Sequence, residues 1–121
     1  ESLIGTGFPF RDLSFMEAYL AMFKAVIPKT AGIRRPGAAA LDLAYVASGR
    51  YDGFWEIGLS PWDIAAGCLL ILEAGGMVSD LEGNNHYLKS GQIVAGNPKI
   101  YPQLIEIITP YLTDQLMAQN R

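Results

Sequence analysis

Glu56 and Asp63 are two carboxylates of this 121-residue chain, one at the end of a strand-like run and the other at a helix start, and a carboxylate at either place could hold a metal ion or accept from a hydroxyl. On spacing alone each has a plain structural explanation. Glu56 reads as a solvated charge at a loop edge. Asp63 closes Ser60-Pro61-Trp62-Asp63, which supplies an N-cap, a proline at the first helical position and an acid at N3. Such an acid completes a capping box and complements the helix dipole. Gly37, Ala38 and Ala39 form a third point of interest. Small residues at a helix start let backbone N–H groups approach a ligand closely, although a tight turn into a buried helix explains them equally well.

Other reactive residue types lack partners in the sequence. His86 lies in a polar connection with no His, Cys or carboxylate at ligand spacing, so neither zinc binding nor a catalytic base is supported. Cys68, the single cysteine, sits in the apolar run Cys-Leu-Leu-Ile-Leu and reads as a buried, inert thiol. One cysteine makes no internal disulfide, which suits a reducing cytoplasm. Arg34 and Arg35 precede a proline and read as a solvated loop, with steering of an anionic substrate or a subunit contact as alternatives. Asp42 and Asp52 read as structural.

The elements that must position these residues alternate between strand and helix patterns, the mark of a layered α/β domain. Leu3 to Thr6 reads as a strand. Ser14 with Glu17 forms a capping box for a helix whose apolar face is Met16, Tyr19, Leu20, Phe23, Val26 and Ile27, ended by Pro28. Ala31 to Arg34 reads as a short strand. Gly37 to Ser48 is a helix apolar almost all round, expected to be largely buried and to stop at Gly49. Gly53 to Ile57 is a strand, followed by a helix from the Ser60 cap to about Ala74, then Gly75-Gly76. Met77 to Leu81 and Gln92 to Ala95 read as strands joined by the polar segment beginning Glu82-Gly-Asn-Asn-His86. Asn97-Pro98 opens a last helix with the stripe Ile100, Leu104, Ile107, Ile108 and Tyr111, and the tail after Thr113 is expected to fray.

Composition narrows the function classes. Half the residues are apolar, but Gly and Pro break every stretch well short of the roughly 20 residues of a membrane span. A net charge of −3 gives no footprint for direct nucleic-acid binding. One domain over 1–121 is expected. The start Glu1-Ser-Leu-Ile-Gly has no signal-peptide pattern and reads as cut from something longer.

Four motifs in series carry a family resemblance: Gly37-Ala-Ala-Ala-Leu-Asp42, Gly49-Arg-Tyr-Asp-Gly-Phe-Trp-Glu56, Pro61-Trp-Asp-Ile-Ala-Ala-Gly67 and Glu73-Ala-Gly-Gly76. In this order and spacing they resemble the carboxyl-terminal half of the inositol monophosphatase family, and Thr6-Gly-Phe-Pro-Phe-Arg11 is similar to bacterial members. The resemblance implies the second half of the sugar-phosphatase fold, a predominantly parallel or mixed sheet flanked by helices. It further implies a Mg²⁺-dependent phosphomonoesterase acting on inositol monophosphate or a related sugar phosphate. Asp63 matches the metal-ligating aspartate, Glu56 the residue that binds a ring hydroxyl, and Gly37, Ala38 and Ala39 the substrate-contacting turn. The family often has Thr where Ala38 stands, so a contact there must come from the backbone.

The amino-terminal Asp-Pro-Ile-Asp-Gly-Thr-type motif of the family has no counterpart here. The resemblance therefore implies a half-site, inactive alone, since one acid cannot hold a metal pair. It also implies a homodimer. Some similar bacterial members associate with the transcription machinery, which makes a protein-interaction module or a dimerisation fragment the alternative reading.

Overall fold

The computed structural model describes residues 2–7, 13–35 and 37–120. Five strands, β1 Leu3–Thr6, β2 Gly32–Arg34, β3 Gly53–Glu56, β4 Met77–Ser79 and β5 Ile93–Gly96, form one sheet in the order β2-β1-β3-β5-β4. β1 is parallel to both β2 and β3, whereas β5 is antiparallel to β3 and to β4. The sheet is mixed. Parallel neighbours need crossover connections, and two helices supply them: α1 Met16–Val26 between β1 and β2, and α2 Ala39–Ala47 between β2 and β3. The remaining helices are α3 Pro61–Glu73, α4 Tyr87–Ser90, α5 Ile100–Ile108 and α6 Asp114–Ala118.

Strand side chains alternate between two cores, as the pleat requires. On one face Ile4, Trp55 and Val94 pack with Tyr19, Met22 and Val26 of α1, Leu104 and Ile108 of α5 and Leu116 of α6. Trp55 is fully buried and stacks on Tyr19 at 5.8 Å between ring centroids. On the other face Phe54, Ile93 and Ala95 pack with Leu43 and Val46 of α2 and Ile64, Cys68 and Ile71 of α3. Burial of each such large side chain contributes about 1.5–3 kcal/mol. Gly67 lets α2 and α3 meet: a Cβ there would lie 2.5 Å from Leu43 Cβ. Burial pushes the Cys68 thiol up to about 12, so it stays neutral, as expected of an apolar pocket.

Several expectations are corrected by tertiary packing. A 3₁₀ turn, Leu13–Phe15, precedes α1, and Phe15 rather than Ser14 is its N-cap. The face of α1 is rotated, with Met22 buried while Leu20 and Ile27 are exposed. α2 is half-covered rather than largely buried, because only one side meets the sheet and Leu41 faces outward. Asn97 Oδ1 accepts from the N–H groups of Lys99 and Ile100, yet the regular turns of α5 begin only at Ile100. A short helix, α4, occupies part of the predicted polar connection. The tail does not fray: Thr113 caps α6, Leu116 is fully buried, and Gln92 Nε2 donates to its carbonyl at 2.7 Å. Phe8 to Arg11 of the first motif lie outside the described residues.

Candidate functional site

The carboxyl ends of β1, β2 and β3 point the same way, since the three strands are parallel and in register from Leu3↔Gly32 to Thr6↔Trp55. In open α/β sheets such an edge is where loops and helix starts converge on ligands. Each residue singled out from the sequence belongs to a connection leaving this edge. Gly37, Ala38 and Ala39 follow β2 and open α2. Glu56 ends β3, and Asp63 lies in the first turn of α3, which follows directly. α2 and α3 lie on the same face of the sheet.

Glu56 pairs with Ile93 across the β3–β5 ladder, so its side chain leaves the sheet on the α2/α3 face, as Phe54 does. There it lies over Gly7, just beyond β1. A Cβ on Gly7 would sit 2.6 Å from the Glu56 carboxyl carbon. Only a residue without a side chain leaves room for this carboxylate. The charges of Glu56 and Arg35 also register together on Tyr19. Burial raises that phenol to about 12, its hydrogen bond to Thr6 lowers it, Glu56 raises it and Arg35 lowers it. Tyr19 and Thr6 are 3.0 Å apart, oxygen to oxygen, and the Thr6 hydroxyl donates to the Trp55 carbonyl at 2.9 Å. The ends of β1 and β3 are thereby pinned together immediately before Gly7 and Glu56.

Asp63 completes the expected capping box. Its Oδ2 accepts from Ser60 N–H at 3.0 Å while the Ser60 hydroxyl accepts from the Asp63 N–H. The carboxylate is half-buried and held at the helix start by its own cap, which fixes its direction. Gly37 has φ +88°, a left-handed value suited to glycine, and Ala38 is an extended N-cap that offers no side-chain bond. Both are exposed. Gly7 was passed over in the sequence, and the enclosure of Asp42, a residue read as structural, was not foreseen. Gly7 was signalled by the alternation Gly5-Thr6-Gly7 at a strand end, a pattern that marks close approach on one face. Asp42, 1% exposed, gave no sequence signal beyond its place in an apolar helix.

The opposite edge carries a cleft of about 680 Å³ lined by Ser2, Lys29, Asp52, Asn97, Lys99 and Gln103, among others. Its carboxylate is engaged in the fold: Asp52 accepts from Leu3 N–H at 2.8 Å and from Asn97 Nδ2 at 3.3 Å. Asp52 is structural, as expected. His86 is half exposed beside Asp80, with Nδ1 3.7 Å from Oδ2. Asp80 in turn accepts from the backbone N–H groups of Glu82, Asn84 and His86, which organises the turn. Among the described residues no three of His, Cys, Asp and Glu cluster to hold a metal ion, and no helix is long and apolar enough to cross a membrane.

The family model of the inositol monophosphatase family matches residues 9–113. This chain belongs to the inositol monophosphatase family. The family is one of phosphatases, and its α/β sugar-phosphatase fold agrees with the five-stranded sheet described above. Among curated relatives, Nus factor SuhB of Pseudomonas aeruginosa is 57% identical over 117 residues, 95% of this chain and 43% of that one. Nus factor SuhB of Escherichia coli K12 is 48% identical over 115 residues, again 43% of its length. The chain thus spans well under half of these relatives. Among solved structures, the inositol monophosphatase from Anabaena superimposes with a TM-score of 0.84 at 41% identity, covering 91% of this chain and 44% of that one.

Proposed function

We propose that this chain is the carboxyl-terminal half of a Mg²⁺-dependent phosphomonoesterase that hydrolyses inositol monophosphate or a related sugar phosphate. The observation that supports this reading is that Glu56, Asp63 and the Gly37–Ala39 turn all lie on connections leaving the carboxyl edge of the parallel strands β2 and β3, in a chain of this family. Asp63 is the candidate metal ligand, and its donor chemistry fits: Mg²⁺ takes one or two protein carboxylates with waters and substrate oxygens completing an octahedron. When bound, the ion supplies charge stabilisation at the phosphate.

The residues of the chain itself divide the remaining work. Glu56, clamped over Gly7, accepts a hydrogen bond from a hydroxyl of the alcohol portion and orients it. The uncapped N–H groups at the start of α2 face the substrate as backbone donors, since Ala38 brings no hydroxyl. Asp63 keeps its orientation through Ser60. One such acid is too small a donor set for a metal pair, so the other ligands come from the rest of a longer polypeptide. That remainder also covers the outward side of α3, where Trp62 is 77% and Leu69 59% exposed. The chain alone is then inactive, and the assembled enzyme is a cytoplasmic homodimer.

The test is release of inorganic phosphate from inositol monophosphate by the full-length polypeptide. Activity with Mg²⁺, none after chelation and none from the 121-residue chain support the reading; turnover unaffected by chelation contradicts it. A second reading is favoured by the relatives named as Nus factors: a partner of the transcription machinery. Capture of RNA polymerase by a catalytically dead full-length variant supports that role, and failure to capture it at high concentration removes it.

A further inference from the structure

Asp42 is the buried acid that the proposed reaction leaves unused. It lies in the first turn of α2 at 1% exposure, and its Oδ1 is enclosed with no hydrogen-bond partner among the described residues. This chain's own atoms close that oxygen off, so nothing docking on the outside reaches it. The backbone of the same residue holds the candidate substrate turn. Asp42 N–H donates to the Ala38 carbonyl at 3.0 Å, and Leu41 N–H donates to the same oxygen at 3.1 Å. Among the described residues Ala38 makes no side-chain cap, and nothing lies within 4 Å of where a Cβ on Gly37 would stand.

We propose that Asp42 is a positioning residue for the Gly37–Ala39 turn, working as a neutral carboxylic acid whose ionisation loosens the turn and weakens substrate binding. This rests on the reading of that turn as a substrate contact. A charge created on an enclosed, unpartnered carboxyl must move toward water. The backbone it pulls on is the one that anchors Ala38. Burial raises the Asp42 carboxyl to about 7, so the change falls within the working range of a cytoplasmic enzyme. The dipole of α2 favours the charged form, but desolvation outweighs it.

The groups around Asp42 do not supply the missing compensation. Burial raises the Tyr51 phenol, before β3; Asp42 and Tyr45 on α2 raise it further, and Arg34 on β2 lowers it. Cys68 on α3 shares the same core as a neutral thiol. Glu56 of β3 and Asp63 of α3 stand at the same edge of the sheet, but burial is the one cause of the raised Asp42 value.

The experiment compares the full-length enzyme with Asp42→Asn, which keeps shape and removes ionisation. KM for inositol monophosphate is measured from about pH 6 to about pH 9, and the ratio of parent to variant is expected to rise on the order of tenfold across that range while the kcat ratio stays flat. Ionisation of the substrate phosphate cancels in the ratio. A flat KM ratio, or a change confined to kcat, overturns the proposal. Should neither protein cleave the substrate, the phosphatase reading fails, and amide exchange at Leu41 and Asp42 in the chain decides the inference separately. Opening of the turn above about pH 7 in the parent and not in the variant supports it; equal protection in both overturns it. Titration of the Asp42 carboxyl in the ordinary range near pH 4, read by carbon NMR, also overturns it.

Discussion

The Glu56 carboxylate fills the space that a side chain on Gly7 would need, with its carboxyl carbon 2.6 Å from the position of a Cβ there. The contact joins the ends of β1 and β3 at the edge where the candidate site lies. Because the obstructing atoms are the far end of a flexible side chain, an added methyl displaces Glu56 without breaking the sheet. Gly7→Ala in the full-length enzyme is therefore expected to leave the melting temperature nearly unchanged while raising KM for inositol monophosphate severalfold. A large loss of stability with unchanged KM would show that the contact matters for folding alone.

Glu56 itself is assigned to the alcohol half of the substrate, so its effect depends on which ester is offered. Glu56→Gln should lower kcat/KM for inositol monophosphate by about 1–3 kcal/mol of lost charge-assisted hydrogen bonding, and affect a simple phosphate ester without ring hydroxyls much less. Steady-state rates at saturating Mg²⁺ on both substrates make the comparison. Equal losses would assign Glu56 to the metal or to structure instead.

How far the sequence disclosed this arrangement depends on the range of the interactions involved. The Ser60–Asp63 box was legible because both partners sit within one turn, and the left-handed Gly49 and Gly75 mark helix ends for the same reason. The family motifs pointed to Glu56, Asp63 and the Gly37 turn. What was not legible is set by distant partners. Leu116 and Asn120 dock through Gln92, more than 20 positions earlier, so the tail looked free. The buried face of α1 turned toward Met22 because the stack on Trp55 chooses it. Asp42 read as structural, but its enclosure without a partner among the described residues was not legible, since it comes from residues elsewhere in the chain.

The enclosure of Asp42 makes a separate prediction for stability. In the unfolded chain the carboxyl ionises near its ordinary 3.8, and in the fold near 7. Below about pH 4 the group is neutral in both states and imposes no penalty. As pH rises from there to about 7 the unfolded chain loses the proton first, so folding stability falls, by about 4 kcal/mol at most. Asp42→Asn lacks this dependence. The difference in melting temperature, variant minus parent, should therefore grow from about pH 4 to about pH 7 and then level off. A difference independent of pH would mean that the carboxyl ionises normally.

The role of Asp63 is the centre of the account, because one carboxylate is asked both to cap α3 and to hold a metal. Asparagine can still accept from Ser60 N–H, so the cap survives while the charge that Mg²⁺ requires is lost. The most direct test measures kcat at saturating Mg²⁺ and the melting temperature together for Asp63→Asn in the full-length protein. The account predicts a fall in kcat of at least about a hundredfold, the loss of a few kcal/mol of transition-state stabilisation, with little change in melting temperature. Activity within a few-fold of the parent would show that Asp63 serves only as a helix cap, and the proposed metal site would not stand.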